Sequence, residues 1–168
     1  MTQEEKDLIL KDLCARLPFH VKVAIDFKGY LEVLPDDENL QYTYRKNLNF
    51  ILDYDNKTIE DISKEPHILY AYPCTERFGM LRGYTYELDY GVPVEFIKPY
   101  LRPLSSMTEE EQDEFFDLII PVDGGKAVVE EDKIEKYNEF LYSHHFDYRG
   151  LIEKGLAIEV TEENNPYK

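Results

Sequence analysis

Residues 20–27 read HVKVAIDF, and at this point the spacing of apolar residues along the chain changes. Val21, Val23 and Ile25 fall on alternate positions, which places them on one face of an extended backbone and predicts a strand with one buried side. Just upstream the period is helical. Leu8, Ile9, Asp12, Leu13 and Arg16 recur at three- and four-residue spacing, with Leu8, Ile9 and Leu13 inward. Thr2 and Glu5 have the spacing of a capping box, and Pro18 lacks the N–H that a continuing helix needs. A helix passing directly into alternating residues predicts an α+β fold.

Downstream the alternation continues. Lys28-Gly29 followed by YLEVL predicts a hairpin, PDDEN is a polar break, and LQYTY reads as another strand. NLNFILDYDNKTIEDI reads as a strand, an Asp-Asn turn and a short polar-edged segment ended by Pro66. HILYAYPC is a strand cut by Pro73. GYTYELDYG alternates most clearly, with Tyr84, Tyr86, Leu88 and Tyr90 on one face and Thr85, Glu87 and Asp89 on the other. Together these segments predict an antiparallel β-meander. Pro93, Pro99 and Pro103 then exclude a long helix and predict an extended strap over the surface.

The last third is expected to be helical. Thr108 and Glu111 repeat the capping-box spacing, and the acids of TEEEQDE fall in the first turns, where the helix dipole favours negative charge. Phe115, Phe116 and Ile119 supply the apolar side, Pro121 stops the helix, and VDGGK is a turn. Ile134, Tyr137, Leu141 and His144 predict a second helix. A short third one, from Tyr148 to Lys154, closes at Gly155, and AIEV adds an edge strand. The expected architecture is a single α+β domain over residues 1–168: an N-terminal helix and β-meander in 1–104, a Pro-rich strap, and acidic C-terminal helices in 105–168.

At 168 residues and 43% apolar composition, the chain is long enough to bury a core of its own. Its net charge of −16 is unevenly spread: residues 105–168 hold 17 acids and 6 bases, and residues 1–104 hold 18 and 13. A field of that sign argues against phosphate backbones and anionic lipid, which are held by clustered Lys and Arg. It suits a basic protein partner. Cys14 and Cys74 belong to no CxxC or Cys/His cluster, which argues against a zinc site or disulfide framework. No run approaches the roughly twenty apolar residues of a membrane span, and the N-terminal segment carries acids where a secretory signal has bases, so a cytoplasmic setting is expected.

Candidate chemistry centres on YSHHFDYRGLIEKG, residues 142–155. His144, His145 and Asp147 are the catalytic candidates for a small hydrolase using His and carboxylate chemistry. As a metal site the pair is poorly built, because neighbouring side chains on a helix diverge by about 100° and no third ligand has supporting spacing. The structural reading places His145 at a helix C-terminus, where the dipole favours it, and Asp147 as the cap of the next helix. HHFDYRG also departs from the HHxxxDG motif of condensation-type acyltransferases, because Arg149 stands at the aspartate position. No nucleophile elbow, phosphate loop, HExxH or dinucleotide fingerprint is present, and no cofactor or metal is expected. The binding candidates are Tyr84, Tyr86 and Tyr90, with Tyr42 and Tyr44 beside them, and the acids Glu109, Glu110 and Asp113. Exposed tyrosines make good interface anchors because they bring large area with little rotamer entropy. The same rings would otherwise pack beneath the C-terminal helices.

Three segments, EKDLILKDLCARLPFHVKV, IKPYLRPLSSMTEEE and HHFDYRGLIEKGLAIE, cover about a third of the chain. They resemble stretches of uncharacterised small proteins encoded in gut-bacterial genomes, often in phage or other mobile elements. The resemblance transfers no catalytic residue. It implies a mobile-element origin and a binding role, so the expected function is a protein–protein interaction module. An acidic mimic of nucleic acid that binds a basic protein is the further alternative.

Overall fold

The computed structural model describes residues 1–33, 58–68, 93–122 and 126–168. The expectations for LQYTY, NLNFILDYDN, GYTYELDYG with Tyr84, Tyr86 and Tyr90, and Cys74 lie outside the described residues.

The first helix, α1 (Gln3–Arg16), starts as its sequence requires. Thr2 Oγ1 accepts from Glu5 N–H (3.2 Å) and Glu5 Oε2 accepts from Thr2 N–H (2.7 Å), so each side chain satisfies a backbone donor that has no helical partner. After α1, Leu17–Phe19 form a single 3₁₀ turn with Pro18 inside it, and His20 closes it in the left-handed region (φ 54°). That reversal returns the chain beneath α1 as strand β1 (Lys22–Ile25), whose Val23 and Ile25 are buried together with Val21.

The hairpin expected after β1 is absent, because Asp26 starts a helix. Its Oδ1 accepts from Gly29 N–H (2.8 Å) and its carbonyl accepts from Tyr30 N–H (3.0 Å), opening α2 (Phe27–Val33). Phe27 and Tyr30, three apart, point into the core. A side chain at Gly29 would collide with the capping carboxylate, so the glycine of Lys28-Gly29 serves a cap instead of a β-turn. A further capping box, Thr58 with Asp61, opens α3 (Ile59–Lys64), which precedes β2 (His67–Ile68).

The Pro-rich segment is not a surface strap in its central part. Ile97–Leu101 form β3, which lies between β1 and β6 (Ile158–Glu159) in a four-stranded sheet of order β2-β1-β3-β6. Ile97 and Leu101 are fully buried. Pro99 fits because of register. Asp26 N–H donates to Phe96 O (2.9 Å), so in this antiparallel ladder Ala24 and Lys98 form the next hydrogen-bonded pair, and Pro99 stands opposite Val23 where β1 needs no donor. β1 is antiparallel to both β2 and β3, whereas β6 runs parallel to β3. The described strands therefore make a mixed sheet, with β1 between two later strands, in place of a simple meander, and residues 158–159 add its edge.

The C-terminal part holds α4 (Glu109–Asp117), opened by the Thr108–Glu111 box, and α5 (Ile134–Ser143). The helix α4 ends ahead of Pro121 as expected, and between α4 and α5 lies an antiparallel ribbon that the sequence did not announce, β4 (Ile120–Val122) and β5 (Lys126–Val128); the centre of the VDGGK turn, 123–125, lies outside the described residues. Tyr148–Lys154 is not a helix but a set of turns closed by Gly155 in the left-handed region (φ 69°). Two apolar clusters result. The larger joins α1, β1, α2, α3 and β3 to Leu151, Leu156 and Ala157, and the smaller gathers Phe140, Leu141 and Phe146 with Phe115, Leu118 and Tyr137.

Candidate functional site

The seam between these clusters is charged. Asp12 and Arg16 lie on the same face of α1 as Ile9 and Leu13, and all four side chains are buried. Arg16 Nε and Nη2 donate to the two oxygens of Asp12 (2.7 and 3.1 Å). Nη1 and Nη2 also donate to the carbonyls of Leu141 (3.3 Å) and Phe146 (2.7 Å), where α5 ends. The guanidinium lies near the rings of Tyr142 and Tyr148, which join hydroxyl to hydroxyl at 2.8 Å. Arg149 Nε comes within 3.3 Å of Asp12 Oδ1, but its N–H is not aimed at that oxygen; the interaction is a charge contact without a hydrogen bond. A buried ion satisfied this fully clamps α1 to the 141–149 segment. Sequence reasoning left this site out, although the four-residue spacing of Asp12 and Arg16 beside Ile9 and Leu13 was its signal.

The three catalytic candidates beside this clamp are each committed to a different partner. His144 caps α5, with Nδ1 2.9 Å from Phe140 O. His145 adopts a left-handed backbone (φ 58°), is buried, and stacks face to face on Tyr167 with centroids 3.9 Å apart. Burial first, then the charge of Arg16, pulls its pKa down to about 3. The side chain is therefore neutral, and the expected attraction of a cationic His145 to the helix dipole does not operate. Asp147 accepts from Leu151 N–H (2.9 Å) and Ile152 N–H (2.8 Å), so it caps the turn that replaces the expected helix. These contacts give each of the three side chains a structural partner, while the buried Nδ1 of His145 has no hydrogen-bond partner among the described residues. Among the described residues no group of three or more His, Cys, Asp or Glu is placed to hold a metal ion.

Tyr167 completes the junction from the C-terminal segment. Its hydroxyl donates to Tyr100 O (2.8 Å) and accepts from Lys22 N–H (3.2 Å), tying the segment across β1 and β3. Arg102 extends β3 by bridging to Phe146, and its N–H donates to His145 O (2.8 Å). Its guanidinium forms a bidentate pair with Glu111 (2.7 and 2.8 Å), which holds the Glu111 pKa down near 2. Glu111 is thus structural.

The acids Glu109, Glu110 and Asp113 project from α4 and are exposed. Residues 109–135 carry eleven Asp and Glu against two Lys. Apolar side chains stand exposed within the same stretch: Phe116, Ile120, Val122, Val128 and Ile134. Ile120 lies opposite Val128 in the ribbon, and Val122 shares their face. On α5, Ile134 borders an open, shallow groove. Ile134, Asn138 and Tyr142 recur every fourth residue along it, Glu135 and Glu139 lie next to them on the helix, Glu131 lies in the 3₁₀ turn before it, and Phe19 also lines it. Phe19 and Tyr142 stack at 6.4 Å.

No helix among the described residues is long and apolar enough to cross a membrane. Comparison of the chain with protein-family models, curated proteins and solved structures finds no match.

Proposed function

We propose that this chain is a protein–protein interaction module of phage or mobile-element origin, acting in the cytoplasm, that binds a cationic partner protein through residues 109–135. The observation that supports this reading is the coincidence of two kinds of surface. Five of the seven large apolar side chains exposed among the described residues fall between Phe116 and Ile134, inside the most acidic part of the chain. Carboxylates alone serve solubility, and scattered apolar residues are ordinary. Exposed apolar side chains set among eleven carboxylates, with Lys126 and Lys133 the only bases in the stretch, fit a partner that covers the apolar atoms and answers the net charge.

The test is affinity capture from lysate of cells that encode the protein, at low and high salt, comparing wild type with Ile120→Ser/Val128→Ser. A specific partner should be held at low salt, released as salt screens the acidic frame, and weakened by the ribbon variant. Recovery of nothing at either salt, or a partner indifferent to both changes, would reject the proposal.

A further inference from the structure

We infer that the groove on α5 receives an amphipathic helix from the partner, with an apolar stripe flanked by Lys or Arg; this rests on the interaction reading above. The groove has the periodicity of a helix. Ile134, Asn138 and Tyr142 line it at four-residue spacing along α5, a row that advances by about 6 Å per step, with Glu135 and Glu139 beside them on α5 and Glu131 in the 3₁₀ turn that precedes it. A helix laid along α5 presents side chains at the same interval. Its apolar positions meet Ile134 and the stacked rings of Phe19 and Tyr142, and its basic positions meet the three glutamates.

The glutamates are available for such a role. No Lys or Arg among the described residues forms an ion pair with Glu131, Glu135 or Glu139, whereas neighbouring Lys133 is already held by Glu130 and by Asp117 O. Ile134 is 46% exposed, large for an isoleucine on a helix whose inner face is packed. A second copy of the chain is a poor occupant, because each copy has a net charge of −16.

The probe is a synthetic peptide of about fifteen residues, with Leu at helical spacing and Lys along both sides of the Leu stripe. Binding is followed by fluorescence anisotropy, and the site is mapped by backbone amide shifts. Two control peptides are a scramble of the same composition and a version with Lys replaced by Glu. The variants are Ile134→Ser and Glu135→Lys/Glu139→Lys, at exposed positions, with thermal melts to verify that each is folded.

The parent peptide should shift Phe19, Ile134, Asn138 and Tyr142, and either variant or the scramble should weaken binding by roughly tenfold. Shifts confined to other surfaces, equal binding of the scramble, no binding, or concentration-dependent self-association blocked by Glu135→Lys/Glu139→Lys would overturn the inference. The lysate capture, repeated with Glu135→Lys/Glu139→Lys, separates the two ideas. A partner retained equally by this variant removes the groove and leaves the interaction reading standing, whereas no partner for wild type removes both.

Discussion

Arg16 and Asp12 face each other one helical turn apart, with Nε 2.7 Å from Oδ2 and neither side chain exposed to solvent. Removing either partner leaves an uncompensated charge in the interior. Asp12→Ala leaves two arginines, Arg16 and Arg149, around an empty position, and Arg16→Ala leaves a carboxylate together with unanswered carbonyls at Leu141 and Phe146. Each variant is expected to lose about 3–5 kcal/mol in urea unfolding. The joint change Asp12→Leu/Arg16→Met should cost less than the two single losses added together. Strict additivity would show that the pair is not energetically coupled.

His145 gives the protein a sensitivity to mild acid. A histidine whose folded pKa is lowered from 6.5 to about 3 stays neutral in the fold while the unfolded chain takes up a proton. Its contribution is full above pH 6.5 and is lost progressively as pH falls toward 3, where the folded form also protonates. His145→Asn removes the titrating group and keeps a residue that tolerates positive φ. The stability difference between wild type and this variant should narrow steadily from pH 7 to pH 4. In wild type, the His145 ring signals should not titrate over that range.

Glu111 acts in a lower window. Its folded pKa is depressed from 4.5 to about 2, chiefly by the bidentate contact with Arg102, so its stabilisation is present above pH 4.5 and disappears as pH falls toward 2. Guanidinium unfolding of wild type and Glu111→Gln should show a gap that is constant near neutral pH and closes below 4.5. A gap that persists at pH 2.5 would assign the effect to packing instead.

Asp147 is expected to matter for folding. Asp147→Ala orphans the buried Leu151 N–H and half-buried Ile152 N–H and should cost about 1–3 kcal/mol. Amide exchange at residues 151–156 should accelerate more than exchange in β1. Unchanged exchange in this turn would exclude the cap.

Local spacing was readable where both partners of an interaction lie within one turn. Thr2 with Glu5 and Thr108 with Glu111 form capping boxes, and Val21, Val23 and Ile25 line one buried face. Reading failed where one short pattern served two structures. YLEVL alternates like a strand, yet Tyr30 lies three residues from Phe27, and Asp26, accepting from Gly29 N–H and Tyr30 N–H, selects the helix. Pro99 marked an exit from the sheet because the register that makes it harmless comes from Phe96 and Asp26, seventy residues apart. The charged seam was hidden for the same reason. Asp12 and Arg16 look like a solvent-facing pair until Leu141 and Phe146 are brought over them. The exposure of the 116–134 apolar residues depends on what the fold leaves uncovered, which no periodicity states.

The carbonyls that satisfy Arg16 arrive 125 and 130 residues after it, and the hydroxyl that meets Lys22 arrives 145 residues later. Until those residues have been synthesised, α1 carries a guanidinium that must remain hydrated, and the apolar surface around it cannot close. The contacts that close the interior around α1 therefore span most of the described chain, and they form only once residues 141–167 are in place. A product shortened before residue 141 would lack the carbonyls that satisfy Arg16 and would leave the apolar surface beside it open to chaperones and proteases.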